Sequence, residues 1–246
     1  MLGCFLGGAV GDALGADVEF DSLARIRARF GPRGITQYAG RSGGRITDDT
    51  QMTLFTAEGL LRASVRFNGK GIVDAPSMIH RSYLRWLTTQ SPADRIRVVR
   101  DHGVDIETGW LLTNPQLHAP RAPGATCLAA LRSGSMGTIA RPINNSKGCG
   151  GVMRMAPAGL APVDGAFMLG AQAAAITHGH PSGYLAAGAF ALMVARLVDG
   201  ASLAEAVDDA CTRVAKEKGH TETTAALGAA VRLARDEPAP TPEVSS

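Results

Sequence analysis

Gly3, Gly7, Gly11 and Gly15 recur at every fourth position of the opening stretch. On a helix they fall on one ridge, and each costs about 1 kcal/mol against alanine in a helix interior. A helix that carries four of them needs a compensating reason, and close approach by a neighbouring helix supplies one. The stretch 2–15 is therefore expected to be a helix buried in a bundle.

Helical patterning continues through most of the chain, and no segment alternates apolar and polar residues as a half-buried strand does. Residues 21–46, with Gly31-Pro32, Gly34, Gly40 and Gly43-Gly44, are expected to be irregular. A helix follows from Thr47 to about Val65, with Met52, Leu54, Phe55, Leu60 and Leu61 nearly all round it, a pattern of deep burial. Further helices are expected over 75–89, near 104–112, and over 126–132, 165–177, 181–198 and 221–235, with a Pro-rich loop before 126 and a polar, Gly-rich segment over 133–151. Pro181 suits a first helical position and Gly200 a helix end. Ser202 and Glu205 have the spacing of a capping box that opens one more helix. The expected fold class is all-α: a single compact multi-helix domain over 1–235, then a Pro-rich polar tail over 236–246.

Hydrophobic residues at 45% and charged residues at 19% are the balance of a globular domain. The net charge is +3, and the run Arg81, Arg85, Arg95, Arg97, Arg100 is interrupted by Asp94 and Asp101, which argues against a nucleic-acid partner. Cys4, Cys127, Cys149 and Cys211 are scattered with no C-x-x-C pair, which argues against zinc or a disulfide framework and suits a reducing cytoplasm. The apolar start has no basic leader and is broken by Asp12, unlike a signal peptide. No run is read as the ~18 to 20 apolar residues of a membrane span. A cytoplasmic monomer away from membranes is the expectation.

Four places can carry chemistry. Thr47-Asp48-Asp49-Thr50-Gln51 opens a buried helix and has two readings: a capping arrangement, or two carboxylates and a hydroxyl offering oxygen ligands to a hard cation. Asp12, on an apolar helix, needs a backbone N–H, an arginine or a metal shell as partner; Glu19 lies seven residues on and shares its face if the helix persists. Ser146-Lys147-Gly148-Cys149-Gly150-Gly151 is either an anion cradle of converging N–H groups or a plain turn, and matches neither a P-loop nor G-x-G-x-x-G. His178 and His180 lie between two helices without a third zinc ligand, and of the two His178 is the better candidate to contact a ligand.

In order along the chain, GCFLGGAVGDALGADVEF (3–20), GRITDDTQMTLFTAEGLL (44–61), RAPGATCLAAL (121–131), SKGCGGVMRMAPAGL (146–160) and AAITHGHPSGYLAAGAFALMV (174–194) resemble the ADP-ribosylglycohydrolase family, which includes the dinitrogenase-reductase-activating glycohydrolases. The resemblance implies an all-α fold around a binuclear Mg²⁺ or Mn²⁺ centre. It implies hydrolysis of the glycosidic bond linking ADP-ribose to a protein side chain, arginine above all, with an ADP-ribosylated protein or an ADP-ribose-containing small molecule as substrate. By the same resemblance Thr47, Asp48 and Asp49 are metal ligands, and Glu19 is the acid near the scissile bond, acting with Asp48 and Asp49. Ser146, Gly148 and Gly150 hold the diphosphate, and His178 contacts the substrate.

Two departures qualify that picture. Cys149 stands where the family commonly has Asn, and a thiol is a poor hydrogen-bonding group. The family's C-terminal Asp-x-Asp-Ser/Thr motif has no counterpart here, since Asp208-Asp209 run on into Ala210-Cys211. The expectation is a chain short of its C-terminal segment with a weakened metal site. The alternative to a hydrolase is an ADP-ribose-binding module or a fragment.

Overall fold

A computed structural model describes residues 1–38, 43–103 and 108–236, and among them every regular element is helical. The α-helices in order are α1 (Leu2–Gly15), α2 (Leu23–Phe30), α3 (Asp48–Lys70), α4 (Ala75–Leu87), α5 (Pro92–His102), α6 (Ala125–Arg132), α7 (Val163–Ala175), α8 (Pro181–Val198), α9 (Leu203–Val214) and α10 (Thr221–Asp236). The all-α expectation holds.

The core is built where small residues let helices approach. A Cβ on Gly170 of α7 would lie 2.7 Å from the Ala191 Cβ of α8, and one on Gly188 of α8 would lie 2.8 Å from the Phe167 carbonyl of α7. Ala171, Ala173, Ala174, Ala187 and Ala191 are fully buried around that seam. Glycine-mediated packing is thus real, but it does not lie where the first glycines suggested. Nothing falls within 4 Å of a Cβ built on Gly3, Gly7, Gly11 or Gly15. On α1 only Ala13 is buried, while Leu2, Leu6 and Val10 are more than half exposed. The expectation of a buried α1 is corrected: the helix docks on α3 through its last turns and leaves the ridge uncovered among the described residues.

α3 also divides along its length. Met52 and Phe55 are fully buried, but Leu61 and Val65 are largely exposed, so the apolar girdle does not mean burial throughout. α4 covers the inner half, and Gly59 lets it in: a Cβ there would stand 2.6 Å from the Ile79 Cα. A hydrogen bond from Trp86 Nε1 to Gln51 Oε1 and the buried pair Arg85–Glu58 at 3.1 Å tie the two helices. α3 runs past Val65 to Lys70 and stops at Gly71, which takes the left-handed conformation of a C-terminal cap.

Two helices were not foreseen. α2 lies inside the segment expected to be irregular, and its N-cap Ser22 accepts from the Arg25 N–H. α5 opens at Ser91-Pro92 with the same device. Residues 104–107 of the helix expected near 104–112 lie outside the described residues, and Trp110–Thr113 form a 3₁₀ turn. The capping box of Ser202 and Glu205 forms as expected. The helix expected to end at 235 continues through Asp236, and 237–246 lie outside the described residues. α8 is, over 18 residues, apolar enough to match a membrane span by composition, against the sequence expectation; its packing against α7 and α9 accounts for that composition as a core helix.

Two glycines should therefore respond oppositely to the same change. Gly7→Ala removes a helix penalty without a clash and is expected to raise the thermal midpoint by roughly 2–4 °C. Gly59→Ala forces α4 away and is expected to cost about 1–3 kcal/mol. Scanning calorimetry of both variants checks this, and a destabilised Gly7→Ala would mean that something covers the α1 ridge.

Candidate functional site

The N-terminus of α3 has N–H groups with no helical partner, and the residue that takes two of those at the helix start comes from another helix. Asp12, near the end of α1, accepts from the Thr47 N–H at 2.9 Å and the Thr50 N–H at 3.2 Å through Oδ2, while the Thr47 hydroxyl donates to Oδ1 at 2.6 Å and the Thr50 hydroxyl donates to Oδ2. This answers the need of Asp12 for a partner. It also changes the choice posed by Asp48 and Asp49. Thr47 Oγ1 accepts from the Asp49 N–H at 3.2 Å, and neither carboxylate is used to cap the helix.

Asp48 is instead held by the segment 121–124. Its N–H donates to the Arg121 carbonyl at 2.8 Å, and its Oδ2 accepts from the Gly124 N–H at 3.0 Å. Between those two anchors Ala122 has φ +52°, the single non-glycine with positive φ among the described residues; a residue with a Cβ is uncommon there. Both Asp49 oxygens accept no hydrogen bond from the described residues, the Asp48 carboxylate has the Gly124 N–H and its own N–H as donors, and no Lys or Arg among the described residues forms an ion pair with either carboxylate. Burial, above all, pushes both carboxyls up to about 6, with Asp49 and Glu19 adding repulsion at Asp48, and Asp12 and Glu19 at Asp49.

Glu19 thus stands near the pair, but α1 ends at Gly15, so a turn rather than a continued helix brings it there, and it is exposed. Among the described residues no three His, Cys, Asp or Glu side chains converge as metal ligands. The donors present are two carboxylates without a cation and a hydroxyl, the oxygen types a hard divalent ion takes.

The loop 146–150 lies against the same corner. Its shape comes from Asn144, whose Oδ1 accepts from the N–H of Ser146 at 3.0 Å and of Gly179 at 3.1 Å, and whose Nδ2 donates to the Thr177 carbonyl at 2.8 Å. The Gly148 N–H is committed to Ser146 Oγ at 3.2 Å. The N–H groups of Cys149 and Gly150 donate to no acceptor among the described residues and remain available to an anion. Gly150 must lack a side chain, since a Cβ would lie 2.9 Å from Cys127 Sγ and 3.0 Å from His178 Cε1. The His178 ring is 1% exposed and presents Nε2 to Gly148 and Gly150. Burial, and then the Arg154 cation, bring its pKa down to about 4. His180 caps α8 by accepting from the Ser182 N–H at 3.1 Å. Cys149 is exposed, and partial burial with the charge of Asp49 pushes its thiol up, away from thiolate.

The fold therefore gathers Glu19, Thr47, Asp48, Asp49, Ser146, Gly148, Gly150 and His178 around one corner. Reading the sequence missed Asn144, Gly124 and Arg154, and gave Thr177, next to His178, no role of its own. Arg154, a lone cation in the apolar run 152–160, was the one visible signal.

An all-helical chain with this corner falls in a class that comparison of sequences defines. The family profile described as ADP-ribosylglycohydrolase matches residues 1–246, and the chain belongs to that family. It is similar to ADP-ribosyl-[dinitrogen reductase] glycohydrolase of Rhodospirillum rubrum, 32% identical over 208 residues, which cover 81% of this chain and 58% of that protein.

The raised carboxyls have a signed consequence. A carboxyl that binds its proton more tightly when folded, at about 6 against an ordinary 3.8, makes folding progressively less favourable as pH rises between those values. His178 and His80, both lowered to about 4, act in the opposite sense over nearly the same window, so the total pH dependence is shallow. Comparison with a variant isolates the carboxyl. Without divalent ions, Asp49→Asn should match the parent near pH 4 and exceed its stability above pH 6. The gain should be on the order of 1 kcal/mol once solvent screening of this partly exposed group is allowed for. Urea titrations at both pH values measure this, and equal stability above pH 6 would show that the carboxylate is already neutralised.

Proposed function

We propose that this protein hydrolyses the glycosidic bond joining ADP-ribose to a protein side chain, arginine foremost, with Mg²⁺ or Mn²⁺ held by Thr47, Asp48 and Asp49. The observation that carries the reading is the helix cap made by Asp12, which leaves two carboxylates together without a cation beside an anion-accepting loop. The named substrate of the Rhodospirillum rubrum relative, an ADP-ribosylated dinitrogen reductase, supports a protein-linked substrate. The four free cysteines suit a cytoplasmic setting.

A hard divalent ion, when bound, supplies positive charge that orders ribose hydroxyls and a water and stabilises their negative charge. The chain's own groups do the rest. The bond breaks with positive charge building on the ribose ring, and the acidic corner of Asp48, Asp49 and Glu19 favours that charge electrostatically. Glu19, exposed at the rim, accepts a proton from the water as its oxygen bonds to the ribose C1, and the guanidine nitrogen that leaves C1 takes up that proton. The diphosphate lies on loop 146–150, near Ser146, Gly148 and Gly150, and His178 donates to it from Nε2. An Asn at position 149 would add one more donor; Cys149 does not, which weakens the hold on the ligand.

A second reading, ADP-ribose binding without turnover, is favoured by the described residues, which bring no three His, Cys, Asp or Glu side chains together, since metal affinity falls with each ligand withheld. One experiment separates the two. Arginine-ADP-ribosylated protein incubated with this protein and millimolar Mg²⁺ or Mn²⁺ should release ADP-ribose, and Asp48→Ala or Asp49→Ala should lower the rate by about 100-fold or more. Calorimetric binding of ADP-ribose without release would establish the binding module. Neither release nor binding would end both readings.

A further inference from the structure

Arg154 is fully buried and, among the described residues, has no carboxylate partner. Its guanidinium lies 4.4 Å from the centre of the Tyr83 ring. Nη1 donates to Cys127 Sγ at 3.3 Å and Met52 Sδ at 3.6 Å, and Nη2 donates to Thr177 Oγ1 at 2.6 Å. All of these are neutral or soft groups that leave the positive charge largely uncancelled. A buried cation kept in this way needs a reason, because burial without an anion is costly.

The hydroxyl of Thr177 supplies the reason. Arginine can only donate, so Thr177 Oγ1 is the acceptor in the 2.6 Å contact. Its own proton then needs an acceptor, and among the described residues the one side-chain atom in reach is His178 Nδ1, 2.8 Å away. If Nδ1 instead carried a proton, the Thr177 hydroxyl hydrogen would be stranded at a site of zero exposure. If both ring nitrogens were protonated, a second cation would face Arg154 besides. Only one arrangement gives the Thr177 hydroxyl proton an acceptor: Arg154 donates to Thr177, and Thr177 donates to Nδ1, which leaves the ring proton on Nε2.

The Nε2 end faces the loop. A Cβ on Gly148 would lie 3.4 Å from Nε2 and one on Gly150 would lie 3.2 Å from it. We propose that Arg154 and Thr177 are positioning residues that lock His178 into the tautomer donating from Nε2, so that it serves as a permanent donor to an anionic ligand group on loop 146–150. The identity of that group as a diphosphate rests on the function proposed above, whereas the lock itself does not. Burial of the ring and the Arg154 cation both oppose its protonation, so the donor keeps one state across the neutral range.

The test is the ¹⁵N spectrum of the His178 ring in the ligand-free protein at pH 7, read beside ADP-ribose affinity by calorimetry. The wild type should show one tautomer, with Nδ1 bare and Nε2 protonated. Thr177→Val should release the ring to a mixture or to the Nδ1–H form and weaken ADP-ribose binding by about 10-fold, the effect of one charge-assisted hydrogen bond. Thr177→Ser, which keeps the hydroxyl, should restore both. A wild-type ring that is averaged or protonated on Nδ1 overturns the lock, even if the Val variant fails to fold. So does a folded Val variant that retains the pure tautomer or full affinity. If wild-type protein binds no ADP-ribose, the function reading fails while the spectrum still decides the lock.

Discussion

Asp12 on the N-terminus of α3 is the contact on which the rest of the site depends. A single carboxylate from α1 accepts two backbone N–H groups and two hydroxyls of α3. Caps of this kind contribute about 1 kcal/mol to a helix, but the larger effect is on what the helix's own acids can do. In most helices that begin Thr-Asp-Asp, the side chains at the start satisfy the orphan N–H groups themselves. Here Thr47 takes the Asp49 N–H and a neighbouring helix takes those of Thr47 and Thr50, so Asp48 and Asp49 stay close together, partly desolvated and without a countercharge among the described residues. That arrangement is unfavourable for folding and sensible for binding a cation.

The polar groups around this corner form two separate systems with opposite charge. One is the acidic set of Asp12, Glu19, Asp48 and Asp49. The other is Arg154, cushioned by Tyr83, Cys127 and Met52 and joined through Thr177 to His178. The 146–150 loop packs on the second set at Gly150, and Gly124 lies beside both: a Cβ there would stand 3.9 Å from Asp48 Oδ2 and 3.9 Å from Cys127 Sγ. A ligand with a sugar at one end and phosphates at the other would meet negative potential at the first and hydrogen-bond donors at the second.

Much of the fold was legible because capping and periodicity are local. Pro181, Gly200 and the Ser202–Glu205 pair marked helix ends that the structure bears out. α2 escaped notice because the glycines that flank it dominate the reading of 21–46, although Ser22 was a visible cap. The glycine ridge of α1 misled for a different reason: spacing tells which residues share a face but not whether anything lies against it. The site was legible as types and order, not as a network. Nothing in the local sequence says that Asp12 reaches across to α3, that Asn144 ties the loop to Thr177 and Gly179, or that Arg154 ends beneath His178, because each of these contacts spans more than twenty residues.

The segment 121–124 grips Asp48 twice, once by its main chain and once by its carboxylate, with Ala122 turned left-handed between the two grips. A side chain fastened at both ends cannot swing to another rotamer by itself. Were an ion held by Asp48 as proposed, any adjustment of this carboxylate toward a larger or smaller one would carry four residues of backbone with it, as a jaw rather than a finger. The opening of α6 follows directly after that jaw, so a change in ionic radius at Asp48 would be transmitted to the helix that bears Cys127, and through it to the floor under the loop.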